Sequence, residues 1–223
     1  MALTKVRTGG ITADAVDNTI LKLDDNFAFT GTVSGAGGLA KVSSVTSTVT
    51  DLTALTIDLP VTTDFEYLHL VLRLRAETTA EQNWLMQVRN DATNSYETGS
   101  TDYRYITVGG YLNTTGEAGG AHSQGDTNGI SYIQFGGGFS GDGSEEEELC
   151  YIDLDMYNTV GTTRGPRFYG RKHGENRSTD EWTYIDNVSG YVTDSIQVDQ
   201  IKFYLSGGAE FSNYGYVLYK VLK

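Results

Sequence analysis

Apolar and polar residues alternate over long stretches of this chain. From Phe65 to Arg75, Leu68, Leu70, Leu72 and Leu74 share one parity, while Tyr67, His69, Val71, Arg73 and Arg75 share the other. From Glu148 to Tyr157, Cys150, Ile152, Leu154 and Met156 alternate with Tyr151, Asp153, Asp155 and Tyr157. A period of two sends successive side chains to opposite faces of a strand. Both segments are therefore predicted as strands with one face in a core and the other toward water or a neighbour. Shorter runs of the same kind are Lys41–Val45, Leu55–Leu59, Trp84–Arg89, Tyr103–Val108, Ile130–Phe135, Arg167–Arg171, Trp182–Asp186, Gln200–Leu205 and Tyr214–Leu222. Apolar parity flips between Ile196, Val198 and Ile201, Phe203, Leu205, which predicts a turn or bulge near Asp199 and Gln200. Roughly ten or eleven strands separated by Gly, Asn, Asp and Thr clusters predict an all-β fold, a jelly-roll-like antiparallel β-sandwich. Two Gly-rich stretches, Asn113–Gly129 and Gly136–Ser144, are expected to be long loops.

The first 30 residues follow a different period. Val16, Ile20, Leu23 and Phe27 recur at spacings of four, three and four, with Thr12 or Asp14 able to cap a helix and Asp14 and Asp17 near its start. The stripe is too short to hold a helix alone, so it must dock on its own domain, on sister copies or on another protein. A connector rich in Gly and Ser, residues 31–38, follows it. The expected organisation is an attachment and oligomerisation segment with its joint at 1–40, using Val16, Ile20, Leu23 and Phe27, and a β-sandwich domain at 41–223.

Composition sharpens this picture. The 27 glycines and 15 tyrosines against 2 prolines favour strands joined by glycine turns. The 16 Lys and Arg against 29 Asp and Glu give a net charge of −13, which argues against a nucleic-acid partner and against adsorption to anionic lipid. No apolar run is long enough to span a membrane, and residues 1–15 lack the apolar centre of a secretory signal. A single cysteine, Cys150, leaves no intrachain disulfide and no multi-cysteine zinc site, and it falls on the apolar parity of its strand.

Candidate chemistry is sparse. His69, His122 and His173 stand far apart without metal-ligand spacing, and His69 is expected at a structural or surface position. His122 beside Ser123 has no nucleophile-elbow context. The acidic run Glu145–Glu148 with Asp142 reads as a solvated loop, or as oxygen ligands for a calcium ion. Asp153 and Asp155 share a strand face, as a glycosidase pair could, but they share it with Tyr151 and Tyr157. Tyrosine is the more telling excess, because its ring stacks while its hydroxyl hydrogen-bonds. Tyr103, Tyr105, Tyr111, Trp182 and Tyr184 are the candidate surface for a glycan or a partner. No P-loop or dinucleotide-binding glycine pattern occurs, and no cofactor is expected.

Gly10–Asp24 (GITADAVDNTILKLD) is similar to stretches in bacteriophage tail-fibre and virion-appendage proteins, and the remainder resembles the β-sandwich at the C-terminus of many short phage proteins. The matching segments are Lys41–Thr46 (KVSSVT), Asp64–Leu72 (DFEYLHLVL) and the ending Val198–Gly208 followed by Val217–Leu222. That ending resembles one in which a Ser/Gly turn leads into a strand finishing Leu-Tyr-Gly, with Lys220 here in place of the glycine. The resemblance implies a non-enzymatic structural protein of the virion, a fibre or capsid decoration, commonly a homotrimer. Its partners would be its own copies and other virion proteins, with assembly in the host cytoplasm. Two alternatives stand beside it: a carbohydrate- or receptor-binding module of a tail fibre, and a polysaccharide depolymerase.

Overall fold

A computed structural model describes residues 39–48, 52–77, 82–112, 122–135, 149–161, 163–176 and 182–223. Among them the secondary structure is strand alone. The strands are β1 (Leu39–Ser47), β2 (Ala54–Asp58), β3 (Phe65–Glu77), β4 (Trp84–Asn90), β5 (Ser95–Tyr96), β6 (Tyr103–Leu112) and β7 (His122–Ile130). After them come β8 (Ile133–Gln134), β9 (Leu149–Tyr157), β10 (Arg167–Asn176), β11 (Trp182–Val192), β12 (Val198–Leu205) and β13 (Glu210–Leu222). Every pairing is antiparallel. One sheet has eight strands in the order β1-β13-β3-β9-β10-β11-β6-β7, and the other runs β2-β12-β4-β5 with β8 also on β4. Within the larger sheet β9, β10 and β11 follow one another as a meander, a local order unlike the sheet-to-sheet alternation of a jelly roll.

The alternation in the sequence is the alternation of faces. Leu68, Leu70, Leu72 and Leu74 of β3 and Cys150, Ile152, Leu154 and Met156 of β9 are all fully buried. They meet Ile57, Met86, Val88, Ile201 and Phe203 from the smaller sheet in one core. Trp84 of β4 stacks on Phe211 of β13 with ring centroids 5.3 Å apart, which joins the two sheets. Each leucine taken wholly from water contributes about 1.5–3 kcal/mol, so these two inward rows are the principal reason the sheets adhere.

The parity flip is a bulge at Asp199. The β4–β12 register shifts between Val198 and Gln200, leaving Asp199 as the extra residue. Its carboxylate accepts two hydrogen bonds from the Arg89 guanidinium, at 2.9 and 2.8 Å, and its carbonyl accepts from the Leu59 N–H at 2.7 Å. A bulged residue leaves its neighbours' ladder incomplete, and these bonds hold the kink in place.

Two expectations differ from what is found. The stretch expected as a long loop over Asn113–Gly129 holds all but the last residue of a nine-residue strand, β7, paired with β6 at the end of the larger sheet. Its residues HSQGDTNG carry no apolar alternation, because an edge strand is held by backbone hydrogen bonds from one neighbour and is commonly polar. The single strand expected over Ile130–Phe135 is divided between the end of β7 and the short β8. The predicted helix with Val16, Ile20, Leu23 and Phe27, the joint at 31–38 and the acidic run Glu145–Glu148 lie outside the described residues. β1 begins at Leu39, inside the span assigned to the attachment segment.

Candidate functional site

The inward rows of β3 and β9 require an outward row on each strand, and neighbouring strands continue these rows in register. Tyr67 is paired with Tyr157, Tyr157 with Arg167, Arg167 with Tyr191 and Tyr191 with Arg104. The next row runs His69, Asp155, Tyr169, Ser189 and Ile106, and the third Val71, Asp153, Arg171, Asn187 and Val108. A fourth runs Arg73, Tyr151, His173, Ile185 and Gly110. Across five adjacent strands these four rows carry four arginines, two aspartates and five tyrosines. With histidines neutral the charge of the four rows is positive, although the chain as a whole carries −13.

The aromatic groups of this face brace one another. Tyr67 and Tyr157 stack with centroids 4.8 Å apart at 23°, and Tyr169 meets Tyr157 edge-on at 5.8 Å and 78°. Tyr169 is 45% exposed and Tyr191 42%. Burial raises the pKa of the Tyr157 hydroxyl, and neighbouring Asp155 adds to the shift, so it stays a neutral donor. The polar groups divide into engaged and free. His69 Nδ1 lies 2.8 Å from Asp155 Oδ1, and Arg73 donates to Asn213 Oδ1 at 3.3 Å. Arg104, Arg167, Arg171, Asp153 and Asn187 have no side-chain hydrogen bond or ion pair among the described residues. Asp153 and Arg171 face each other in register without closing an ion pair.

Two shallow hollows open on this face. One, of about 210 Å³, is lined by His69, Asp153, Asp155, Tyr169, Gly170, Arg171 and Asn187. The other, of about 420 Å³, lies over Gly215, between Thr46, Val71, Arg73, Tyr151 and Val217. Asp153 and Asp155 leave one strand side by side and Asp155 is tied to His69. Among the described residues no group of three His, Cys, Asp or Glu could hold a metal ion. What the face can do is stack rings on tyrosines and hydrogen-bond or ion-pair through guanidinium groups.

The residues singled out from sequence are placed differently from this face. Tyr103 is a correction: it is fully buried, its hydroxyl donating to the Glu97 carbonyl at 3.1 Å and accepting from the Val88 N–H at 2.8 Å. Burial pushes its hydroxyl pKa far up. Tyr105 is a second correction, half-buried against the core with its hydroxyl 3.4 Å from Gln134 Oε1. The reason is the parity of β6. Tyr103, Tyr105 and Thr107 turn inward, and Ile106 and Val108, 52% and 48% exposed, turn out. Tyr111 is paired with Tyr184, and Trp182 with Asn176, but the side chains of Tyr111, Trp182 and Tyr184 lie outside the described set. The sequence reading noted the shared face of Tyr151, Asp153, Asp155 and Tyr157 but missed Arg104, Arg167, Tyr169, Arg171 and Tyr191. The signal available was their alternate spacing in β10, which puts Arg167, Tyr169 and Arg171 on one side. Cys150 is the inert core residue expected, its thiol pushed up to about 12 by burial.

Comparison with protein-family models, with curated proteins and with solved structures gives no match.

Proposed function

We propose that this chain is a non-enzymatic structural component of a bacteriophage particle, a fibre or surface decoration whose sandwich is displayed outward. Residues 1–40 attach it and assemble it as a homotrimer. The resemblance of Gly10–Asp24 and of the closing segments to virion appendages supports the reading. The observation that carries it is the open face of the larger sheet. Five strands offer water a broad, shallow, tyrosine- and arginine-bearing surface, a form suited to adhesion rather than to enclosing a reacting bond.

The test is the composition of purified particles. Mass spectrometry and a density map of gradient-purified virions should find the chain as a stoichiometric surface component. Sedimentation of the full chain should give a trimer, and a 41–223 truncation a smaller species. A chain abundant in infected cells but missing from the particles would overturn the reading, and a monomeric full chain would overturn its trimer.

A further inference from the structure

We infer that the open face of the larger sheet binds an anionic polysaccharide, lying across the strands along the row Tyr157, Arg167, Tyr191 and Arg104. The inference rests on the displayed-sandwich reading for its biological setting, but its geometry stands apart from it.

Acidic residues outnumber basic ones 29 to 16 in this chain, so an arginine has many carboxylates it could pair with. Arg104, Arg167 and Arg171 instead stand exposed on one face with no partner among the described residues. A guanidinium is more weakly hydrated than an ammonium and offers a fork of donors matched to a carboxylate or sulfate. Three of them on one face, outnumbering its two aspartates, are complementary to an anion.

The arginines alternate with aromatic rings. Arg167 and Arg104 are two strands apart in one row, about 10 Å at the strand spacing, with Tyr191 between them and Tyr157 beyond. Tyr157 is held by the Tyr67 stack and itself braces Tyr169, so these rings are set before a ligand arrives. A pyranose ring has an apolar face of C–H groups that packs on tyrosine, and hydroxyls that bond to the phenol. Rings alternating with guanidinium groups fit a chain that carries one acidic group per two sugars. Arg171, four residues along β10 from Arg167, and Asn187 beside it provide a second contact at the smaller hollow.

Charge spacing separates this ligand from nucleic acid. DNA carries a phosphate for every 1.7 Å or so of axis, so arginines about 10 Å apart would leave most charges unmatched. Asp153 and Asp155, in the middle of the face, would repel such a dense polyanion, whereas a sparse one passes beside them.

The experiment uses the full chain and a matched pair of polymers: hyaluronan, with one carboxylate per disaccharide, and the same polymer with its carboxylates methyl-esterified. Kappa-carrageenan, with one sulfate per disaccharide, against its desulfated form gives a sulfate arm, and duplex DNA serves as the dense polyanion. Binding measured by biolayer interferometry should favour each acidic polymer over its neutral counterpart by at least about tenfold, weaken with salt, and exceed binding to DNA. Arg104→Gln and Arg167→Gln should each weaken it about tenfold, Arg167→Lys less, and Tyr191→Ala about tenfold. Val71→Ser, on the same face away from the row, should leave it unchanged. Thermal unfolding of each variant checks that the fold is intact. Equal binding to the esterified and acidic polymers, tighter binding to DNA, no binding to either acidic polymer, or indifference to the arginine substitutions would each overturn the inference. Particles that contain the chain while it binds no acidic polymer would remove this inference and leave the virion reading standing. Binding by a chain absent from particles would do the reverse.

Discussion

Lys172 and Asp186 face each other across β10 and β11, with Nζ 3.1 Å from Oδ2 and both side chains wholly buried. Lys172→Met removes one charge and leaves a carboxylate in the core beside Cys150, Ile152 and Val188. Breaking a buried pair from one side costs about 3–5 kcal/mol, because the remaining ion has lost its water and its counter-charge together. Against a typical domain stability of about 5–15 kcal/mol this is a large fraction. With a urea m-value of about 2–3 kcal/mol/M the midpoint should fall by about 1.5 M with little change in slope. The double variant Lys172→Met with Asp186→Asn removes both charges at nearly constant volume, so it should recover a large part of the loss. Gly109 supplies an independent check. A Cβ there would lie 1.9 Å from Asp186 Oδ1 and 2.6 Å from the Ile185 carbonyl, so Gly109→Ala must displace the carboxylate and should destabilise markedly. The assay is equilibrium urea unfolding followed by tryptophan fluorescence, at one fixed protomer concentration because assembly shifts apparent stability. A loss below about 1 kcal/mol for Lys172→Met, or a double variant less stable than that single one, would refute the reasoning.

Two further outcomes concern titration. The Asp64 carboxyl is drawn from 3.8 to about 2, chiefly by its hydrogen bond from Lys220 and then by that from Thr62. Because the folded value is the lower one, the stabilisation is present above the ordinary carboxylate range and is lost as pH falls through about 2. Carbon-detected NMR should place the Asp64 midpoint near 2, and Lys220→Met should raise it. Cys150 is buried with its thiol pushed up to about 12, so a disulfide-exchange reagent should leave it unmodified in the native chain at pH 8 and react fully once urea is added. Rapid reaction without denaturant would contradict its placement in the core.

What the sequence conveys about this fold is what a two-residue period can convey. The leucines of β3 and the apolar row of β9 give both faces of the central strands, and the parity change at Asp199 locates a bulge. The period fails where a strand carries no apolar alternation in its sequence, as in β7, and where both parities are half apolar, as in β6. Tyr103 and Ile106 each read equally well as inside or outside, and β6 buries the tyrosine parity. The buried Lys172 and Asp186 are hidden for another reason. A charge on a strand reads as a solvent position, and only the register of β10 with β11 shows that each cancels the other.

The open face depends on register in the same way, with a functional consequence. His69 and Asp155 are 86 residues apart in sequence and adjacent only because β9 inserts beside β3. Arg104 joins Tyr191 and Arg167 only because β6 lies beyond β11. A strand fixes which side a residue faces, and strand order fixes its company. A net charge of −13 describes the whole chain and says nothing of a face assembled from five separate segments. That face can be positive because the requirement that shaped its parity was burial of the opposite side. Once Leu154 and Phe168 are inside, Asp153, Asp155, Arg167 and Tyr169 must be outside whatever their charge. Substitutions on the outward parity can therefore change what the face binds while leaving the core rows intact, as an adhesive surface on a stable sandwich requires.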